Sequence, residues 1–288
     1  MRLRKYTKRN LRSSKTNFFS SLSVTNWLII VNLVCFFISL IFVYLNLINY
    51  IALTPNNLIH GKNVWTLLTH MFSHVMFFHL FANMFSLFFL GSFCEKIIGK
   101  KRFLWFYLIA GLFAGIFFTL LSFYFGNSEL GAKIFGSPDI AALGASGAIF
   151  GILGLLAVLV PKAKVYLIVG PLIAIIAQIL LENVIKNPDI LNVASILISI
   201  YIFVSIFALF SFNPNLRKIA VPIEMPFWIL PWVAIIPLVI VGLFVELPIG
   251  NTAHFGGFLA GVVYGFYLRK KYARKVKMLE RYVIDKNS

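Results

Sequence analysis

Charged residues are scarce in this sequence, and acidic residues are scarcer still. Only 12% of the 288 residues are charged, and Asp and Glu together number 9. The chain has 2 cysteines, Cys35 and Cys94, in no recognisable disulfide or metal-binding pattern. Hydrophobic residues make up 60% of the chain, more than a soluble domain of this length needs. The composition therefore excludes a soluble protein and a scaffold held together by disulfides.

Long apolar runs occupy most of the chain. Runs of about 20 apolar residues with few charges are typical of membrane helices. Their length and the lack of strict alternation favour helices over the strands of a barrel. The sequence thus predicts an all-α polytopic membrane protein with about eight transmembrane helices. The predicted spans are Trp27–Tyr50, Phe77–Phe93, Phe103–Phe125, Ala141–Val160, Val165–Leu181, Ile190–Phe212, Phe227–Leu247 and Thr252–Leu268.

Basic residues are distributed unevenly between the two sides of these spans. With both termini in the cytosol, only Lys62, Lys133 and Lys186 of the 26 Lys and Arg residues fall outside. This agrees with the positive-inside rule. The net charge of +17 then reflects topology and contact with anionic membrane lipids, and it gives no support for a nucleic-acid partner. We expect an integral protein of the cell membrane, with basic cytosolic segments at 1–26 and 269–288.

Four polar residues stand out inside the predicted spans. Ser146 lies near the start of the fourth span, and His254 lies at the start of the eighth. His79 and Asn83, four residues apart in the second span, share one helix face. All three spans run from outside to inside, so a rise of about 1.5 Å per residue places the four residues in roughly the outer third of the bilayer. Ionisable groups at such positions are costly and are candidates for function.

The four residues fit the chemistry of acyl transfer. A serine hydroxyl is activated by a base within hydrogen-bond reach, and neutral imidazole is the usual base. We therefore predict Ser146 as the nucleophile and His254 as the base, without a nearby Asp or Glu. The oxyanion needs donors, which the amides of a helix start and the side chains of His79 and Asn83 supply.

Glycines recur along the fourth and eighth spans. Such rows let membrane helices approach closely, as contact between Ser146 and His254 requires, although they are also common as packing motifs alone. The glycines are Gly147, Gly151 and Gly154 in the fourth span and Gly257, Gly261 and Gly265 in the eighth.

Other kinds of site are less well supported. Ala148 stands where the nucleophile elbow of soluble hydrolases has its last glycine. His70, His74 and His79 do not form a convincing ligand set, so we predict neither a metal nor a cofactor. A transporter or a non-catalytic binder of membrane clients stays open as an alternative, but neither needs Ser146 as a nucleophile.

The motifs of this chain resemble those of the rhomboid intramembrane serine proteases, from about Trp27 to Leu268. The matching blocks are Trp65 to His74, His79-Leu80-Phe81-Ala82-Asn83, Glu95 to Gly99, Arg102-Phe103, Gly144-Ala145-Ser146-Gly147 and Ala253-His254-Phe255-Gly256-Gly257 with Gly261. The resemblance implies a rhomboid-like helical bundle that cleaves single-span transmembrane proteins near the outer face. It also implies Ser146 as nucleophile, His254 as base, and His79 and Asn83 in the oxyanion hole. His74 matches a family histidine near the site, with a structural role.

The chain departs from the family pattern at three places. Thr66 follows Trp65 where the family often has Arg, and Phe150 stands where it often has Tyr. Three spans, rather than one, separate the predicted serine and histidine helices. We therefore expect a six-helix core within a protease domain at 27–268, with an inserted helical pair at 165–212. We expect this pair to be peripheral to catalysis and Gln178 within it to bond to a neighbouring helix.

Overall fold

Helices make up most of the structure, which confirms the predicted all-α class. It is a computed structural model that describes residues 22–209, 213–244 and 250–287. The helices are α1 (Val24–Tyr44), α2 (Pro55–Ile59), α3 (Thr66–Thr69), α4 (Phe77–Ile98), α5 (Lys100–Phe125), α6 (Glu129–Phe135), α7 (Ser146–Leu159), α8 (Val169–Val184), α9 (Pro188–Leu209), α10 (Pro214–Arg217), α11 (Leu230–Phe244), α12 (Asn251–Lys271) and α13 (Ala273–Asn287). The strands are β1 (Lys164–Ile168) and β2 (Pro222–Pro226).

Four helices of the described ranges, α1, α4, α5 and α9, are long and apolar enough to cross a membrane. Helices α7, α8 and α11 are apolar but shorter. The number of crossings, eight in the sequence analysis, therefore stays a prediction. The basic segment up to residue 21 and the predicted span ends at 210–212 and 245–247 lie outside the described residues.

Helix α1 has the burial pattern of a helix that faces lipid. It buries the polar side chains of Thr25, Asn32 and Ser39. Its apolar residues Phe37 and Ile41 are 66% and 57% exposed. A soluble protein shows the opposite arrangement, whereas polar side chains in membrane helices face the bundle.

Glu95 ties the start of α1 to the end of α4. Its buried carboxylate accepts hydrogen bonds from the backbone N–H groups of Val24 (3.0 Å) and Thr25 (2.8 Å) and from the Thr25 hydroxyl (2.7 Å). These amides lack partners within the helix, and the helix dipole there favours a negative charge. Glu95, found in the sequence only as part of a motif, therefore fixes two neighbouring helices to one another.

Helix α7 forms the centre of the bundle. All its residues except Ser146 and Ala157 are buried, and it packs mainly against α12 and α5. A helix that is apolar on every side is buried on every side. The first residue of α7 therefore lies where the central helix begins, and its position is set by the surrounding helices.

The first, fourth and seventh predicted spans extend beyond the helices that form, and the seventh, predicted from Phe227, begins as a helix only at Leu230. The fourth, predicted from Ala141, begins as a helix only at Ser146, because Gly144 has a φ of 126° that a helix does not accommodate. The first, predicted as Trp27–Tyr50, ends as an α-helix at Tyr44. Ser146 is thus the first helical residue, rather than one a few residues inside the helix.

The fifth predicted span, from Val165, was wrong for its first residues, which form a strand. Strands β1 and β2 pair in antiparallel fashion as a two-stranded ribbon, with Lys164 opposite Pro226. The N–H of Phe227 donates to the carbonyl of Ala163 (2.8 Å), which joins the base of the ribbon to the chain after α7. An apolar run alone does not distinguish a strand from the start of a buried helix.

Helices α8 and α9 pack mainly on each other and on the chain between α9 and β2. The Tyr201 hydroxyl of α9, for example, donates to the carbonyl of Ile219 (3.0 Å). Within the described side chains, the hydrogen bond of Gln178 differs from the predicted one to a neighbouring helix. Its amide donates to Glu182 one turn further along α8 (3.4 Å), a spacing at which side chains of one helix are neighbours.

Candidate active site

Ser146 follows a turn that is held by the connection between α1 and α4. The N–H of Gly144 donates to the carbonyl of His70 (2.8 Å). Ala142 and Leu53 exchange two backbone hydrogen bonds of 2.8 and 2.9 Å. These bonds fix the entry into α7. The amides of its first turn have no partners within the helix, so they are available beside Ser146.

Ser146 and His254 are in direct contact. Ser146 Oγ lies 2.8 Å from His254 Nε2, although 108 residues separate the two in the chain. His254 is 8% exposed and lies in the first turn of α12. The Thr252 hydroxyl in the same turn donates to the carbonyl of Phe135 (2.9 Å), which holds this end of α12 against the end of α6.

The glycine rows lie between α7 and α12. A Cβ on Gly257 would collide with the carbonyl oxygen of Gly147, and one on Gly261 with the carbonyl oxygen of Gly151. A Cβ on Gly154 would likewise collide with the backbone of Phe258. The two backbones therefore approach to a distance that only glycine permits. This approach is what allows the short serine side chain to reach the imidazole.

Phe150 lies one turn after Ser146 and stacks on the imidazole of His254. The ring centroids are 4.3 Å apart and the planes differ by 19°. The contact limits rotation of the imidazole and orients Nε2 toward Ser146. The departure from Tyr noted in the sequence therefore preserves the packing of the aromatic ring.

His79 and Asn83 lie beside the turn that precedes Ser146. A Cβ on Gly144 would lie 2.7 Å from His79 Cε1 and 3.8 Å from Asn83 Nδ2. The Asn83 amide donates to the carbonyl of His79 (2.9 Å) and lies 3.2 Å from His74 Nε2. Both its hydrogens thus have partners, and one must be released before the amide can bind a developing oxyanion.

His74 has a larger part in this site than its sequence position indicated. Its ring is fully buried, and its Nε2 accepts from the N–H of Ala145 (3.4 Å) as well as facing the Asn83 amide. Burial lowers the pKa of His74 to about 3, and the neighbouring His79 lowers it further by a smaller amount. His74 is therefore neutral, and Nε2 is the acceptor. The only signal in the sequence was its place in the family motif.

The connection that carries His70 and His74 is held by its neighbours Trp65 and Thr69. The indole N–H of Trp65 donates to the carbonyl of Tyr50 (2.8 Å). The Thr69 hydroxyl donates to the carbonyl of Ile51 (2.9 Å). These two bonds fasten the connection near the end of α1, so the arginine that the family often has after Trp65 is not needed for this attachment.

Among the hydrogen bonds and ion pairs of the described residues, none joins His254 to a carboxylate. Glu246, the acidic residue nearest to it in the sequence, lies outside the described ranges. The described part of the chain also contains no group of three or more His, Cys, Asp or Glu placed to hold a metal ion. A hydroxyl, a neutral base and nearby donors are the parts that nucleophilic acyl transfer uses.

The comparisons with known proteins all indicate the same family. A model of the Rhomboid domain matches residues 61–196 and 193–271, and the two segments meet within α9. The chain is 37% identical over 103 residues to RHOMBOID-like protein 1 of Arabidopsis thaliana, covering 36% of this chain and 23% of that protein. It is 39% identical over 113 residues to rhomboid protease GluP of Bacillus subtilis, covering 39% of this chain and 19% of that protein.

The relatives are not all active enzymes. The chain is also 33% identical over 85 residues to inactive RHOMBOID-like protein 8 of Arabidopsis thaliana, covering 30% of this chain and 23% of that protein. The matches span less than a third of the length of each of these three relatives. The activity of this chain therefore has to be argued from its own site.

Proposed function

The chain belongs to the rhomboid family, and we propose that it is an intramembrane serine endopeptidase that uses Ser146 as nucleophile and His254 as general base. The observation that carries the proposal is the 2.8 Å contact between Ser146 Oγ and His254 Nε2. Nothing in the packing of a non-catalytic bundle requires a serine hydroxyl and an imidazole to meet at the ends of two closely packed helices.

The reaction follows from these two groups. Ser146 Oγ attacks the carbonyl carbon of the scissile peptide bond while His254 Nε2 takes the hydroxyl proton. The protonated imidazole then gives that proton to the leaving amine, and an acyl-serine remains. Water, deprotonated by the same imidazole, releases the acyl group and restores Ser146.

The oxyanion of each tetrahedral intermediate needs donors at the start of α7. The first-turn amides of α7 supply backbone donors, and the side chains of His79 and Asn83 lie next to Gly144. For Asn83, binding the oxyanion replaces its contact with His74, which leaves His74 bonded to Ala145.

The proposed substrates are single-span transmembrane proteins. A helix hides its carbonyl groups in its own hydrogen bonds, so the substrate must unwind locally before Ser146 can attack. With both termini in the cytosol of a cell-membrane protein, Ser146 lies near the outer face, and cleavage occurs there. Lipids surround the bundle, and we propose no cofactor.

The competing function is that of a non-catalytic binder of membrane clients, since one of the relatives is named inactive. A binder does not depend on the Ser146 hydroxyl, so removing it separates the two functions. A transporter is disfavoured for the same reason, because transport requires no contact between a serine hydroxyl and an imidazole.

The test is cleavage of a single-span membrane substrate by the full chain in vesicles. Ser146→Ala and His254→Ala should each abolish cleavage while thermal unfolding stays close to that of the wild type. Matched controls are Ser137→Ala and His60→Ala, which alter a serine and a histidine of the connections. Cleavage by Ser146→Ala at the wild-type rate would show that the proposed function is wrong.

A further inference from the structure

A cavity of about 410 Å³ lies between α5 and α12, away from the candidate active site. Its basic end is formed by Lys101 and Arg102, near the start of α5. Trp105, Ile109, Ala260 and Tyr264 line the apolar remainder. A volume of this size lies in the range of about 300–1,000 Å³ that is common for small-molecule sites.

Basic side chains are crowded beside this end of the cavity. The Arg102 guanidinium donates to the Tyr272 hydroxyl (2.9 Å) and lies 4.9 Å from the centre of that ring. The ammonium groups of Lys271 and Lys275 lie 5.8 and 6.0 Å from the same centre. Within the described ranges, none of these cations forms an ion pair with a carboxylate. Because these cations surround one ring and like charges repel, the cluster favours an anion that neutralises it.

The cavity extends along α5 over about two-thirds of the depth of the hydrocarbon region of one lipid leaflet. From Arg102 to Ile109, helix α5 rises about 10 Å at ~1.5 Å per residue. Half of the hydrocarbon core of a bilayer is about 15 Å. The cations therefore lie at the level of the headgroups when the apolar walls lie among the acyl chains. Trp105 and Tyr264, with amphipathic rings, suit the region between the two.

We propose that this cavity binds one anionic phospholipid of the leaflet at the basic ends of α5 and α12. The phosphate lies against Arg102 and Lys101, with Lys271 and Lys275 nearby, and an acyl chain follows Trp105, Ile109 and Ala260. The Tyr264 ring, stacked on Phe106 at 5.1 Å, forms a flat wall for that chain. The site does not depend on proteolysis, since neither Ser146 nor His254 lines it.

The test is native mass spectrometry of the full chain released from vesicles of three parts phosphatidylcholine and one part phosphatidylglycerol. We expect the wild type to retain one phosphatidylglycerol in preference to phosphatidylcholine. Arg102→Gln should lower that retention about fivefold, because one cation is removed at the headgroup. Ala260→Leu, which fills the cavity without changing charge, should lower it as well. Trp105→Ala, at a half-exposed side chain, provides a second variant of the apolar wall with little risk to folding.

Lys277→Gln is the matched control, since it removes one exposed positive charge from α13 outside the cavity. It should leave retention unchanged. Equal losses in Arg102→Gln and Lys277→Gln would mean general attraction to a basic surface and would overturn the proposal. The proposal would also be overturned if Ala260→Leu and Trp105→Ala both retained as much phosphatidylglycerol as the wild type, or if the wild type retained none. Excess inorganic phosphate should not displace the lipid; full displacement would indicate a site for free anions instead.

Discussion

Gly257 of α12 lies against the carbonyl oxygen of Gly147 of α7, with no room for a side chain between them. Gly147 directly follows Ser146, so this contact sets how close α12 comes to the nucleophile. Gly257→Ala should force the helices apart. We expect a loss of about 1–3 kcal/mol in the free energy of unfolding, as for other overpacked positions, together with a strong loss of cleavage.

Gly250→Ala is the control for this change. Among the described residues, a Cβ at Gly250 meets only the Cβ of Ala253, at an ordinary 3.5 Å. The two variants are compared by thermal unfolding in detergent and by cleavage in vesicles, and only Gly257→Ala should lose stability and activity. Equal stability and activity for Gly257→Ala and the wild type would contradict the close packing of α7 and α12.

Phe150 is expected to hold the imidazole of His254 in position. A stacked aromatic pair contributes ~0.5–1.5 kcal/mol, so Phe150→Leu should slow turnover by up to roughly tenfold. Phe150→Tyr keeps the ring and should stay near the wild-type rate. Phe203→Leu, which alters a tilted pair of aromatic rings in α9, serves as the control. If Phe150→Leu cleaves as fast as Phe150→Tyr, the stacking does not support catalysis.

Asn83 is expected to bind the oxyanion and not to transfer protons. Loss of one such donor typically slows turnover by on the order of 10²–10³. Asn83→Ala should therefore cleave very slowly while a serine-reactive probe still labels Ser146. Asn127→Ala is the matched control, because the Asn127 amide also donates to a backbone carbonyl one turn earlier, that of Phe123 (2.9 Å). A normal cleavage rate in Asn83→Ala would remove it from the proposed oxyanion hole.

The helical pair α8 and α9 is expected to be dispensable for the reaction itself. The ribbon brings Lys164 opposite Pro226, so residues 165–225 can be replaced by a short turn without moving α7 or α11. We expect the shortened protein to retain probe labelling of Ser146 and to change in its choice of substrates. Loss of labelling in a protein shown to be folded would mean that the pair helps to build the site.

The sequence predicted the helical class, which the structure confirms, and singled out Ser146 and His254, which the structure brings into contact. Apolar runs and polar exceptions to them are strong signals in membrane proteins. It did not predict β1, since Val165-Tyr166-Leu167-Ile168 is as apolar as the helix that follows. It also placed the start of α7 too early, because the positive φ of Gly144 arises from tertiary contacts with His70 and His79. The contacts of His74 with Asn83 and Ala145 join parts of the chain up to 71 residues apart, beyond the reach of periodicity.

We propose that His254 activates the hydroxyl of Ser146, and labelling with a fluorophosphonate probe measures that activation. Mass spectrometry of the labelled, purified full chain should place the probe on Ser146 in the wild type. His254→Ala should lose the label while remaining folded, because the hydroxyl then has no base within reach. Absence of the label from wild-type Ser146, or undiminished labelling in His254→Ala, would show that His254 does not activate a nucleophilic Ser146.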